Sequence, residues 1–171
     1  MHWADGGILG DIGTHQIDQF LHFARADTCE ITRATVGNMA TQSRAAFQDF
    51  GEMNLTAGEV HGYVRLDWFT PDAAPNWGDG RLILTGTEGF IEVRKYMDIA
   101  GHPGTDHVFL VNGTTCERFD ASGAGTPYFA NLMHDIEQRT QTACSQQRTL
   151  NVMRLAIDAQ AKALRLGNLA T

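Results

Sequence analysis

A chain of 171 residues with a formal net charge of −7 suffices for one domain with a real core, burying roughly 70% of the surface its unfolded form exposes. The acidic balance and the lack of a Lys/Arg cluster argue against a nucleic-acid partner, and no apolar run reaches the length that spans a membrane. Cys29, Cys116 and Cys144 are odd in number, far apart and in no CxxC pair, which points away from disulfides or a zinc ribbon and toward a reducing, cytoplasmic setting.

The first element is read from GGILGDIGTHQIDQF, residues 6–20. Ile12, Ile17, Phe20, Leu21 and Phe23 are spaced to dock a helix over about residues 12–25. Asp11, His15 and Asp18 stand at i, i+4 and i+7, which places them on one helical face. Three readings of this trio are open. Asp11 caps the helix and Asp18 is solvated; or Asp11 orients His15 and raises its pKa toward the range of a general base; or the trio binds a divalent metal, with His102 or His134 from elsewhere.

Strands follow. ITRATVGNMAT (31–41) is β-branched and alternating, SRAAFQDF breaks the period, and GEMNLTA (51–57) and VHGYVRLDWFT (60–70) flank a Gly58-Glu59 turn. PDAAPNWGDG (71–80) reads as a stiffened loop. Two further hairpins are predicted, RLILTG (81–86) with FIEVRKY (90–96), and HVFLVN (107–112) with TTCERF (114–119). Two helices end the chain. Thr126 and Pro127 open the first, which carries Phe129, Leu132, Met133 and Ile136; the second starts at Thr149, carries Val152, Met153, Ala156, Ile157, Ala161 and Leu164 on one stripe, and stops at Gly167.

This order predicts an α+β fold, an open and mostly antiparallel sheet of about six strands with helices on one face. Val64, Leu66 and Trp68 on one side, and Tyr63, Leu82 and Leu84 elsewhere, are expected to face away from the helices. An uncovered apolar face of that kind predicts a homo-oligomer built through the sheet. No repeat or linker divides residues 1–171, and no glycine run forms GxGxxG or a Walker A loop. The nearest candidate, GAGTP at 123–127, reads as a turn before a helix.

A GG pair, an Asp, a Gly, a His four residues after that Asp and another Asp three further on make the opening segment resemble the C-terminal domain of the Gfo/Idh/MocA family, the glucose-fructose oxidoreductase and inositol dehydrogenase group. The strands and helices from 31 to 167 fit as well, so the resemblance covers essentially the whole chain. In that family an N-terminal Rossmann domain, with a glycine fingerprint and a Lys-Pro motif, binds NAD or NADP. The resemblance therefore implies a fragment: the substrate and assembly domain of an NAD(P)-dependent dehydrogenase acting on a sugar or polyol hydroxyl. Such a fragment binds no cofactor by itself and is inactive without its Rossmann half. Carried over by position, Asp11 and His15 match the catalytic pair, with His15 the acid/base, and Asp18 matches a structural acidic position.

Substrate contacts are expected from NWGDGR (76–81) and RKYMDIAGHPGTDH (94–107), polar and aromatic-bearing segments at strand ends: Trp77, Asp79, Arg81, Lys95, Tyr96 and His102. Two rival readings stand beside the dehydrogenase domain. One is a free-standing α+β binding or scaffold dimer; the other is a metal-dependent hydrolase or isomerase using Asp11, His15 and Asp18.

Overall fold

The computed structural model describes residues 7–167, and the chain divides into two compact units, one of residues 7–69 and 130–167, the other of residues 70–129. In chain order the elements are α1 (Gly7–Asp11), α2 (Gly13–Phe23), β1 (Glu30–Gly37), β2 (Phe50–Ala57), β3 (Val60–Asp67), β4 (Arg81–Gly86), β5 (Gly89–Lys95), β6 (Asp106–Asn112), β7 (Cys116–Asp120), a short 3₁₀ turn (Ser122–Ala124), α3 (Tyr128–Gln138), α4 (Gln146–Lys162) and β8 (Leu164–Leu166). The fold is α+β, with each hairpin where the turn residues place it.

The first unit holds a four-stranded sheet in the order β3-β2-β1-β8, antiparallel except for the parallel β1–β8 pair. Period-2 alternation gives this sheet one apolar face. Ala34, Val36, Met53, Leu55, Val64 and Leu66 are buried there against Ile8 and Leu9 of α1, Ile17 and Leu21 of α2, and Val152, Leu155, Ala156 and Ala159 of α4. Each large side chain so buried contributes roughly 1.5–3 kcal/mol. Val64 and Leu66 thus face the helices rather than away from them. The opposite face carries the polar residues of alternate register, among them Glu52, which accepts a 3.0 Å hydrogen bond from the Tyr63 hydroxyl.

The loop between β1 and β2 is closed by Asp49, fully buried, whose carboxylate accepts from the backbone N–H groups of Met39, Ala40 and Thr41 at 2.7–2.8 Å. Burial alone would raise its pKa; those hydrogen bonds outweigh it and hold the carboxyl below the usual range.

A second four-stranded antiparallel sheet, β4-β5-β6-β7, makes up most of the other unit. Two sheets of four strands therefore replace one sheet of about six. The reason is local: β4, after the Pro/Gly loop at 71–80, pairs with β5 and not with β3, so hydrogen bonding starts afresh. The extra strand, β8, is built from Leu164 and Leu166, which sequence periodicity assigns to the last helix. In the second unit the register aligns Leu82, Leu84, Ile91, Val93, Val108, Leu110 and Phe119 on one face. None of them is buried, and the described residues of this unit bury only Asp98 and His107.

The helix expected over about residues 12–25 is α2, Gly13–Phe23, and a separate five-residue helix, α1, precedes it across Ile12. α4 starts one turn before Thr149, where the Ser145 hydroxyl accepts from the Arg148 N–H at 3.1 Å as an N-cap. Its apolar residues form two stripes instead of one: Val152 and Ala156 are buried, whereas Met153 and Ile157 are exposed. No helix among the described residues is long and apolar enough to cross a membrane.

Candidate functional site

α1 lies against β2 because position 51 is glycine. A Cβ there would stand 2.6 Å from Ile8 Cγ2 and 2.9 Å from Leu9 Cδ2, closer than carbon atoms pack. The helix start is fixed by a buried amide: Gln48 Oε1 accepts from the Ile8 N–H at 3.1 Å. Gly7 sits at φ +57°, a backbone conformation that favours glycine, with the amide ends of Gln48 and Gln160 close against it.

On this anchored base Asp11 ends α1 and His15 lies in the first turn of α2, both exposed. The chain crosses the Ile12 break with the Ile12 N–H donating to Ile8 O at 3.0 Å and the His15 N–H to Ile12 O at 3.1 Å. The Thr14 hydroxyl donates to the Asp11 carbonyl at 3.3 Å. Among the described residues no hydrogen bond joins the Asp11 carboxylate to the His15 ring. Asp18 serves the packing of the helices instead. Arg148 of α4 donates to its carboxylate and to its carbonyl, each at 2.7 Å, tying α2 to α4. No group of three or more His, Cys, Asp or Glu side chains among the described residues is arranged to hold a metal ion.

The six expected substrate-contacting residues all belong to the second unit and gather at one end of its sheet, where β4 and β6 start and β5 and β7 end. Trp77 is exposed in the loop leading to β4. Arg81 Nε donates to Asp79 at 2.9 Å. Lys95 donates to Asp106 at 3.2 Å and lies 5.7 Å from the ring centroid of Tyr96, itself at φ +82°. The Thr105 hydroxyl and Lys95 together hold the Asp106 carboxyl below its ordinary pKa. Register splits the set: Arg81 pairs with Arg94, so Lys95, next along β5, is on the other face.

His102 belongs to a cluster that sequence reasoning missed. Its Nδ1–H donates to the buried Asp98 carboxylate, which also accepts from the Ala100 N–H at 3.0 Å. The Ala100 bond, then the His102 bond, keep the Asp98 carboxyl below the usual range. Arg118 lies 3.9 Å from Asp98 and donates from Nη2 to His107 Nδ1 at 3.1 Å, and His107 Nε2–H donates to Gly104 O at 3.2 Å. Both ring nitrogens of buried His107 are thus engaged, which fixes the Nε2–H tautomer. The i, i+4 spacing of Asp98 and His102 was the one available signal; the Arg118 partnership depends on strand pairing that sequence spacing does not reveal.

The GFO/IDH/MocA C-terminal domain model matches residues 2–92. Among solved structures, a candidate oxidoreductase from Erwinia carotovora atroseptica SCRI1043 is 40% identical, with a TM-score of 0.90 over 95% of this chain and 49% of its own. A second, from Thermotoga maritima, has a TM-score of 0.72 at 18% identity, covering 88% of this chain and 43% of its own. KijD10, a 3-ketoreductase from Actinomadura kijaniata solved with TDP-benzene and NADP, has a TM-score of 0.66 at 16% identity, covering 94% and 48%. At such identities the last two establish the fold alone. No functionally curated protein matches the sequence. The chain spans about half the length of these solved relatives, and with more than half of its residues matched by the family model it belongs to the GFO/IDH/MocA C-terminal domain family.

Proposed function

We propose that the chain, residues 1–171 as one functional domain, is the substrate and assembly half of an NAD(P)-dependent dehydrogenase acting on a sugar or polyol hydroxyl. The observation that carries the reading is the presentation of Asp11 and His15: two exposed polar side chains on short helices whose opposite sides are locked into the core by Ile8, Leu9, Ile17 and Leu21. A rigid base with a solvent-facing imidazole is what proton transfer from a substrate hydroxyl requires.

In this reading His15 takes the hydroxyl proton, and Asp11, one turn before it, orients the ring once substrate is present. Trp77, Asp79, Arg81, Lys95, Tyr96 and His102 supply substrate contacts. The described sheets are antiparallel apart from the β1–β8 pair, so they offer no βαβ cradle for a dinucleotide. A nicotinamide, held by an N-terminal Rossmann half, would accept the hydride. KijD10 was solved with NADP, which favours a nicotinamide over other redox groups.

Self-association follows from the second unit. Seven aligned apolar side chains, from Leu82 to Phe119, share one face of its sheet and none of them is buried, and an apolar sheet face of that size calls for a partner. A second copy supplies it, giving a cytoplasmic homo-oligomer. The same face favours the second reading, a stand-alone binding dimer. Turnover separates the two readings only in the joined protein; the 171-residue chain alone is expected to give none with NAD or NADP, and measurable dehydrogenation by it would overturn the proposal.

A further inference from the structure

The two histidines of the second unit stand near one another and are held in opposite ways. His107 is 1% exposed and has both ring nitrogens engaged, as a structural histidine requires. The His102 side chain is 48% exposed, yet it is held at Nδ1 by Asp98, whose side chain is only 3% exposed. Because an ionised carboxylate can only accept, Nδ1 carries the ring proton, and in the neutral imidazole Nε2 is left as an acceptor. Among the described residues Nε2 has no hydrogen-bond partner. The loop that carries this ring is fixed in one shape. The Tyr96 N–H donates to Thr105 O at 2.6 Å across its base, Gly104 O accepts from His107, and the Asp98 carboxylate accepts from the Ala100 N–H within it. A buried carboxylate that orients an exposed imidazole on a fixed loop sets the polarity of a group that meets a ligand.

Charge defines which ligand group fits. Residues 70–129 contain four cations, Arg81, Arg94, Lys95 and Arg118, against eight carboxylates. Each cation is already paired, with Asp79, Glu92, Asp106 and Asp98 in that order. No cation of this unit is therefore left over for a phosphate or a carboxylate, and an acceptor at Nε2 repels either. A hydroxyl, which donates, fits. Within the dehydrogenase reading above, on which this rests, we infer that Asp98 is a positioning residue: it fixes His102 as an acceptor at Nε2, so that this end of the sheet selects an uncharged polyhydroxylated substrate over a phosphorylated or carboxylated one.

The first measurement needs neither substrate nor a folded variant. Long-range proton–nitrogen NMR spectra of the 171-residue chain with isotope-labelled histidine, taken at about pH 8, above the ordinary histidine range, read the tautomer of each ring, and loss of a signal in His102→Gln assigns it. His102 is expected in the Nδ1–H form. In Asp98→Asn the one amide oxygen still faces the Ala100 N–H, so the amide NH2 faces Nδ1, and the ring is expected to switch to the Nε2–H form. A native ring in the Nε2–H form, or in a mixture of the two, would overturn the inference whatever the domain does. The second measurement reads selection in the full-length protein, this chain expressed behind its own upstream coding region. Initial rates with NAD and NADP are compared for glucose, xylose, sorbitol and myo-inositol, each beside its phosphate monoester. The uncharged member of a pair is expected to have a kcat/KM at least ~10-fold higher, and Asp98→Asn to raise KM at least ~10-fold, more than it lowers kcat. Adding His102→Gln to Asp98→Asn, which returns an acceptor oxygen to the same place, is expected to recover KM. Preference for the phosphate esters, or a KM indifferent to Asp98→Asn, would overturn the inference and leave the dehydrogenase reading standing. Turnover of no member of the panel would remove the sugar or polyol reading itself, and this inference with it.

Discussion

Replacing Gly51 with alanine places a methyl group 2.6 Å from Ile8 Cγ2 and 2.9 Å from Leu9 Cδ2. Carbon atoms pack at about 3.5–4.0 Å, so the overlap is close to 1 Å on two side chains that are 3% and 0% exposed and have no free volume to retreat into. Overpacking of this kind costs about 1–3 kcal/mol, partly offset by the ~0.5–1 kcal/mol that alanine gains over glycine within a strand. The net is a cost of up to about 2.5 kcal/mol, each kcal/mol lowering Tm by roughly 2–4 °C in a domain of this size. Gly51→Val lacks an escape for its branches and should lose more. The control is Gly78→Ala, where the added methyl meets nothing within 4 Å and Tm should hold or rise slightly. Thermal melts followed by circular dichroism read all three. If Gly51→Ala melts with Gly78→Ala, α1 is not locked on β2, and the argument that Asp11 rests on a rigid base fails.

Three further outcomes follow from the same packing and hydrogen bonding. Arg148→Ala removes both hydrogen bonds to Asp18 and should cost about 0.5–1.5 kcal/mol; a double-mutant cycle with Asp18→Asn in urea should show coupling between the two, and additivity would refute the link. The Asp135 carboxyl is held below the ordinary range first by the Ala143 N–H, then by the Thr140 hydroxyl and by the Thr142 N–H and hydroxyl. Because the folded-state value is the lower one, this stabilisation is complete above the ordinary value of 3.8 and is lost as pH falls from there through the folded value. Urea midpoints between pH 2 and 7 should therefore drop less steeply at acid pH for Asp135→Asn than for the native chain. Finally, light scattering should find a mass above the 18.8 kDa monomer, reverting to the monomer in Leu84→Glu; a native chain that stays monomeric at high concentration would refute self-association through that face.

The turns were the most legible part of the fold. Gly58-Glu59, and the short break between the runs 81–86 and 90–96, place their hairpins correctly, because turn chemistry is local and needs no knowledge of what packs above it. What stayed hidden depended on pairing at a distance. Val64 and Leu66 are apolar residues of a period-2 strand, and alternation says that they share a face without saying which layer covers it. β8 was absorbed into the last helix because Leu164 continues that apolar spacing, although its backbone pairs with β1. The site shows the same division. Asp11 and His15 were visible as a spaced motif, and Asp18 as its structural third member, whereas the Ile12 break and the Asp98, His107 and Arg118 cluster arise from tertiary packing and strand register.

Proton transfer by His15 is the central claim, and steady-state kinetics of the full-length protein test it most directly. His15→Ala is predicted to lower kcat by about 10²–10⁴-fold with little change in KM, since general acid–base catalysis contributes on that order. A variant that keeps the native kcat, or a native pH profile with unchanged turnover, would contradict the account.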